Sequence, residues 1–277
     1  MEIRRLSAAV GAEVSGVDLR EPLAAADVKA IYQAWLDHQV LVFHDQQLSP
    51  EQQLRFTANF GEFQLSFSPI RNGTQVNYIG NGMAPDGKPG ARGDGIFDFH
   101  QDGVYRAVPT KVTFLHALAV PSNGGNTLFA NTYGAYDALP ADLRARCETL
   151  EVVHTYYKSG GATDGSKHVD TFVHPLVIAH PETGRPLLMC DREMSESIVG
   201  LGADESRALL DQLCSSMERP ANVYEHVWRV GDLVLWDNLA TAHARTDFNP
   251  AERRMMQRTS VKGTKPVAYR PAVASAS

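Results

Sequence analysis

The chain has 277 residues, 43% of them hydrophobic and 21% charged, a composition that can bury a sizeable core and argues against disorder. Its formal net charge of −6 gives no global basic field of the kind that non-specific nucleic-acid binding needs. No apolar run is long enough to span a bilayer. Cys147, Cys190 and Cys214 are odd in number, lack Cys-x-x-Cys spacing and follow no signal-like start, so a reducing cytoplasm is the expected compartment.

Glu2 to Leu19 reads as short and extended, punctuated by Gly11 and Gly16, and is expected to open a sheet. Val28, Ile31, Tyr32, Trp35 and Leu36 recur at helical spacing ahead of the buried-strand run Val40 to Phe43. Ser49-Pro50-Glu51-Gln52 combines an N-cap, a proline suited to the first helical turn and a glutamine in capping-box position, which predicts a second helix to about Phe60. From Gly80 to Gly95 glycine and proline are too dense for regular structure. A mobile loop is expected there, and a substrate lid and a plain surface loop fit it equally well.

Lys111 to Ala119 predicts a long strand, Gly124-Gly125 a turn, and Asn126 to Ala130 the next strand. His116 and His154, embedded in strands without a partner motif, read as packed side chains satisfied by hydrogen bonds. Ala135 to Leu150 is expected to be helical around Pro140, and Leu209, Leu210, Leu213, Cys214 and Met217 mark a later helix. Val173 to Ala179, Arg185 to Cys190, Val223 to Trp228 and Asp232 to Trp236 read as further strands. Many short strands with turn signals and a few helices predict one domain over residues 1–277, mainly β with flanking helices, as a sandwich or jelly roll. No internal repeat is evident, and residues 272–277 read as a frayed tail.

The chemistry is concentrated in Phe97-Asp98-Phe99-His100-Gln101-Asp102. In an extended segment residues i and i+2 share a face, so His100 and Asp102 converge. Two histidines and one carboxylate on one face of an octahedral ion leave the remaining positions open, as in non-haem Fe(II) oxygenases. A distant histidine is therefore the expected third ligand. His168-Val169-Asp170 and His180-Pro181-Glu182 carry similar spacings, but the first lies in a polar run and the second in a turn signal, and both read as surface loops. Only His100 is followed, far downstream, by an apolar strand ending in a polar turn with another histidine, His243. Arg254 and Arg258 are an even number apart, so a strand through Met255 to Gln257 puts both on one face with Arg253 on the other. Two inward guanidinium groups call for an anion, and the arginine fork fits a carboxylate.

His100-x-Asp102, Trp236-Asp237-Asn238 with His243, and Arg254 with Arg258 together resemble the TauD/TfdA (taurine/2,4-dichlorophenoxyacetate) family of Fe(II)/2-oxoglutarate-dependent dioxygenases. Gly11 to Leu19 and Pro121 to Leu128 are similar to family segments too, so the resemblance covers nearly the whole chain. It narrows the fold to a double-stranded β-helix and implies a homo-oligomer, dimer or tetramer. It also implies Fe(II) held by His100, Asp102 and His243, with 2-oxoglutarate and O2 as the other reactants. Thr127 and Arg254 would then bind the cosubstrate, Arg254 at its distal carboxylate, and Arg258 would sit near an anionic group of the substrate. The implied reaction is oxidative decarboxylation of 2-oxoglutarate to succinate and CO2, coupled to hydroxylation or a related C–H oxidation of a small organic anion. A sulfonate, an aryloxy acid or another carboxylate fits that description.

Leu239 stands where many members have an arginine, and Phe63 to Ile70 lacks the histidine-rich look of the taurine enzymes, which argues against taurine as substrate. Met194 aligns with an apolar pocket position. Phe97, Phe99, Tyr105 and Tyr157 are further candidates for a pocket wall, although aromatic residues are more often core. Two rival readings use the same residues differently. A zinc hydrolase would use His100, Asp102 and His243 with a bound water but has no need of Thr127 or Arg254. A non-catalytic jelly-roll binding protein would need none of them for chemistry.

Overall fold

The structure is a computed structural model that describes residues 1–271 apart from positions 67, 69, 92–96 and 158–168, with the side chains of 157 and 169 also outside the described set. The expected tail at 272–277, His168 of the His-x-Asp spacing and most of the polar run around it lie outside the described residues.

Two sheets frame the chain. The larger has seven strands in the order Glu2–Arg5, Ala12–Ser15, Val40–Phe43, Leu233–Asp237, Thr110–Ala119, Met255–Lys262, Asn77–Gly80. The smaller has four, in the order Val223–His226, Thr127–Asn131, Thr241–Arg245, Phe97–His100. Central strands of the larger sheet are buried on both faces, which is why Val40–Phe43 and Leu233–Asp237 read as continuous apolar runs instead of alternating ones. The pleat then sorts their side chains. Leu41, Phe43, Leu233 and Leu235 turn outward to the helix layer, where they meet Ile31, Trp35, Phe56 and Phe60. Val40, Val42, Val234 and Trp236 turn inward and pack with Leu115, Met256 and, from the four-stranded sheet, Phe129. Each of these buried side chains contributes roughly 1.5–3 kcal/mol relative to exposure.

The helix layer forms as the periodicity predicts. Ala25–His38 buries Ile31, Ala34 and Trp35. Pro50–Thr57 begins with the reciprocal capping box, the Ser49 side chain accepting from Gln52 N and the Gln52 side chain from Ser49 N. Pro140 separates two short helices, Thr132–Asp137 and Ala141–Cys147. Leu209, Leu210, Leu213, Cys214 and Met217 form the buried face of Ala203–Met217. Two three-stranded sheets complete the described chain. All three cysteines are free and buried. Among the described residues no helix is long and apolar enough to cross a membrane.

One expectation holds and one is corrected. In the described part of the Gly80–Gly95 segment no helix or strand follows Gly80. Residues 82–91 are held by turns in which Ala84 N donates to Lys88 O and Gly90 N to Gly82 O, and buried Arg71 donates two bonds to the Asp86 carboxylate and a third to Pro89 O. Glycine density there marks tight turns satisfied by a distant arginine that local composition does not reveal. His180 does begin a turn, but its ring is buried and its Nε2 lies 2.9 Å from Asp237 Oδ2. A carboxylate 57 positions away, invisible to a local reading, draws it inward.

Candidate active site

His100 ends one strand of the four-stranded sheet and His243 lies on its neighbour, and the two residues are directly paired across the ladder. Their ring centroids are 4.2 Å apart. A bulge separates this pair from the next, Arg245 with Phe97, because three steps on one strand match two on the other. That extra residue turns Phe97 and His100 to the same face and leaves Phe99 on the opposite one. His100 Nδ1 is 2.8 Å from the Asp98 carbonyl oxygen. A carbonyl only accepts, so Nδ1 carries the hydrogen and Nε2 is the lone-pair nitrogen offered to a metal. Glu193 Oε2, 3.3 Å from the same Nδ1, adds a negative charge behind the ring.

Asp102 lies beyond the end of the strand, in a turn. Its Oδ2 accepts from Thr113 Oγ1 at 3.0 Å and from Arg258 Nη2 at 2.6 Å, and lies 3.9 Å from His243 Nε2. One donor atom from each of His100, Asp102 and His243 falls within 4.8 Å of the others, and all three residues are buried. The Trp236 ring packs 4.8 Å from that of His243. Two imidazole nitrogens and one carboxylate oxygen, converging from one side, fit a divalent ion that keeps open positions.

The three side chains open into a small cavity also lined by Ile79, Leu115, Thr127, Arg245, Arg254 and Arg258. Arg254 precedes the strand Met255–Lys262, which itself bulges between Met255 and Met256, yet it shares the cavity with Arg258 while Arg253 is exposed and donates to Met83 O. The Arg254 guanidinium is 2% exposed and donates Nε–H to Gly125 O at 2.9 Å. Burial, and secondarily the charge of Arg245, push its pKa down to about 9, so it is still cationic at neutral pH. Among the described residues no carboxylate pairs with it. Gly125 is required here twice over: its φ is +66°, and a Cβ would come within 3.0 Å of the Arg254 side chain. Thr127 Oγ1 accepts from Trp228 Nε1 at 3.0 Å, which leaves the hydroxyl hydrogen to donate into the cavity.

A second cavity of about 430 Å3 adjoins the first, sharing Ile79, Asp102 and Arg258 with it. Tyr105, stacked on Tyr156 at 4.7 Å between centroids, forms one wall together with Arg106, and Gln64, Ser66, Gln75 and Asn77 line another part. Thus His100, Asp102, His243, Thr127, Arg254 and Arg258 are brought together, and Tyr105 stands at the outer cavity. Phe99 and Met194 are not brought there. Phe99 faces away, as the alternation from its neighbour His100 requires, and packs against the core beside the helix Ala203–Met217. Met194 is buried with Val104, Tyr133, Leu187 and Leu239, filling core volume. The Tyr157 side chain lies outside the described residues. Arg245 was missed by the sequence reading, although it is two residues beyond His243 on one strand and so shares its face.

The family model described as taurine catabolism dioxygenase TauD, TfdA family, matches residues 2–260. The chain belongs to this family. It is an Fe(II)/2-oxoglutarate-dependent dioxygenase, with Fe(II), 2-oxoglutarate and O2 as its cofactor set, and the zinc-hydrolase and non-catalytic alternatives fall away. An (S)-phenoxypropionate/alpha-ketoglutarate-dioxygenase from Sphingobium herbicidovorans is 35% identical, covering 95% of this chain and 95% of its own. An alpha-ketoglutarate-dependent 2,4-dichlorophenoxyacetate dioxygenase from Cupriavidus pinatubonensis is 33% identical over 90% of this chain and 93% of its own. The crystal structure of a taurine dioxygenase from Burkholderia xenovorans superposes with a TM-score of 0.83 at 33% identity, covering 96% of this chain and 91% of that one. Family membership thus agrees with the mainly β architecture, its few helices and the buried His-Asp-His group.

Proposed function

We propose that this TauD/TfdA-family enzyme hydroxylates an aryloxyalkanoate at the carbon bearing the ether oxygen, with 2-oxoglutarate as cosubstrate. The observation that carries the reading is the adjacency of two cavities at Asp102 and Arg258, one holding the His-Asp-His group and Arg254, the other walled by the Tyr105–Tyr156 stack. His100, Asp102 and His243 would hold Fe(II), which with 2-oxoglutarate supplies the activation of O2. Arg254 binds the distal carboxylate of 2-oxoglutarate through its fork, and the Thr127 hydroxyl donates to the same group. Arg258 reaches both cavities and attracts the substrate carboxylate towards the centre, while Tyr105 and Tyr156 cover the aryl ring. The buried walls keep bulk water from the reacting carbon.

The balance closes without further reactants. One oxygen atom of O2 ends in succinate as CO2 leaves 2-oxoglutarate, and the other ends in the substrate C–OH. An ether carbon that gains a hydroxyl is a hemiketal or hemiacetal, and it breaks its C–O bond to give a phenol and a 2-oxo acid. The seven- and four-stranded sheets, joined through the cluster of Trp236, Phe129 and Met256, are proposed as the two walls of a double-stranded β-helix. Free, buried cysteines support a reducing cytoplasm as its location.

Succinate formation from 2-oxoglutarate under air with Fe(II) and ascorbate tests the reading across aryloxy acids, sulfonates, sulfate esters and amino-acid-derived carboxylates. The expected result is that an aryloxy acid raises turnover well above the uncoupled background and releases its phenol, and that His100→Ala and Arg254→Ala lose both. Stimulation by a sulfonate or sulfate ester alone overturns the substrate class and leaves the reaction class standing.

A further inference from the structure

We propose that Asn238 is a positioning residue for the metal centre, fixing the Asp102 carboxylate by clamping the backbone that carries it. The need arises because the ladder stops at His100 and Asp102 sits in the turn beyond it. Sheet pairing that fixes His100 therefore does not reach Asp102. Thr110 N donates to Asp102 O at 3.2 Å, and Asn238 supplies the remaining partners: its Oδ1 accepts from Asp102 N at 2.8 Å, and its Nδ2 donates to Asp102 O at 2.9 Å and to Thr110 O at 3.0 Å. The side chain is fully buried. Only a primary amide offers an acceptor and two donors on so short a stem.

The clamp is itself anchored. Asn238 N donates to Lys111 O at 2.9 Å. Asp237 Oδ1 accepts from Leu239 N and Ala240 N, which holds the turn that presents Asn238, and Asp237 Oδ2 meets buried His180. Thr113 and Arg258 then act on the carboxylate oxygen from the opposite side. Asn238 lines neither cavity, and the cavity-lining residues it bonds are Asp102 and, at its backbone carbonyl, Thr110. Losing a group that orients a metal ligand in this way typically costs about 10- to 100-fold in metal affinity.

The inference rests on reading His100, Asp102 and His243 as the metal site, and the test separates the two. Mn(II) binding to the 277-residue chain is measured from the free-ion electron paramagnetic resonance signal, for wild type, Asn238→Ala, Asn238→Gln and, as a core truncation that lines neither cavity, Leu213→Ala. Asn238→Ala is expected to weaken Mn(II) binding roughly 10- to 100-fold, and Asn238→Gln to weaken it too, since the amide is displaced by a methylene. In turnover with Fe(II), kcat should fall while the KM for 2-oxoglutarate stays within roughly threefold. Leu213→Ala should bind Mn(II) as wild type does although its core is damaged. Should Asn238→Ala fail to fold, Asn238→Gln and Asn238→Ser are judged by the same criterion. Mn(II) affinity within twofold of wild type in the Asn238 variants overturns the proposal, as does an equal loss in Leu213→Ala, which would assign the effect to general stability. A wild type that binds no Mn(II) overturns the metal-site reading instead, and the proposal falls with it.

Discussion

Replacing Arg254 by methionine separates what the guanidinium does for folding from what it does for the cosubstrate. The group is almost fully buried, its only hydrogen-bond acceptor among the described residues is the Gly125 carbonyl, and its neighbouring charge is another cation, Arg245. Burial of the Arg254 cation, and secondarily the charge of Arg245, opposes folding. Methionine keeps most of the stem and removes the charge, so the metal-free variant should unfold at a urea concentration equal to or above that of wild type. Binding should respond in the opposite sense. Losing one partner of a buried, hydrogen-bonded charge pair costs about 2–5 kcal/mol, and at about 1.4 kcal/mol per decade the Kd for 2-oxoglutarate should rise about 30- to 4,000-fold. Calorimetric titration of 2-oxoglutarate into the Mn(II)-loaded protein reads the second effect and urea unfolding the first. A Kd raised less than roughly threefold refutes Arg254 as the distal-carboxylate site. A metal-free variant clearly less stable than wild type refutes the argument that the cation is held at an electrostatic cost.

Four other outcomes follow from side chains outside the His-Asp-His group. His154 is fully buried, and burial, then the charge of nearby His174, lower its pKa to about 3. Between pH 6.5 and 3 the unfolded chain therefore binds the extra proton, so stability is full above about pH 6.5 and declines as pH falls, by about 2 kcal/mol at pH 5; His154→Gln should flatten the urea midpoint over that range, and an unaltered slope would count against the assignment. Arg71→Ala removes charge-assisted bonds worth about 1.5–3 kcal/mol to the turn at 84–90, so hydrogen exchange of the Ala84 and Gly87 amides should speed up about ten- to a hundredfold, an effect absent if the turn is held by its own backbone bonds. Tyr105→Ala should raise the KM for an aryloxy substrate with little change for 2-oxoglutarate. Met194→Ala should instead cost about 2–5 kcal/mol of stability and leave both KM values in place; steady-state kinetics with urea unfolding distinguishes the pair, and a KM effect at Met194 would return it to the pocket.

Most elements were legible because local periodicity and burial agree. The capping box at Ser49, the apolar face of Ala203–Met217 and the buried strand Val40–Phe43 all follow from short-range pattern. The site was legible in composition but less so in geometry. Alternation along a strand suggested why His100 and Asp102 converge, yet the strand ends at His100, and Asp102 is bonded instead by the amide of Asn238, 136 positions beyond Asp102. The same alternation sets Phe99 on the face opposite His100, as found, but fails at Phe97, because one extra residue between the paired positions brings Phe97 round to the face of His100. A bulge is set by the partner strand's register and leaves no mark in the strand's own composition. Where the ladder is regular, as in Thr241–Arg245 against Thr127–Asn131, parity from His243 alone places Arg245, and the facing pair Thr127, on the cavity side. Parity is therefore a sound guide to this site only between bulges. Across them, Asp102 is met by a buried polar side chain from another element, and in this chain that side chain belongs to the Trp-Asp-Asn turn.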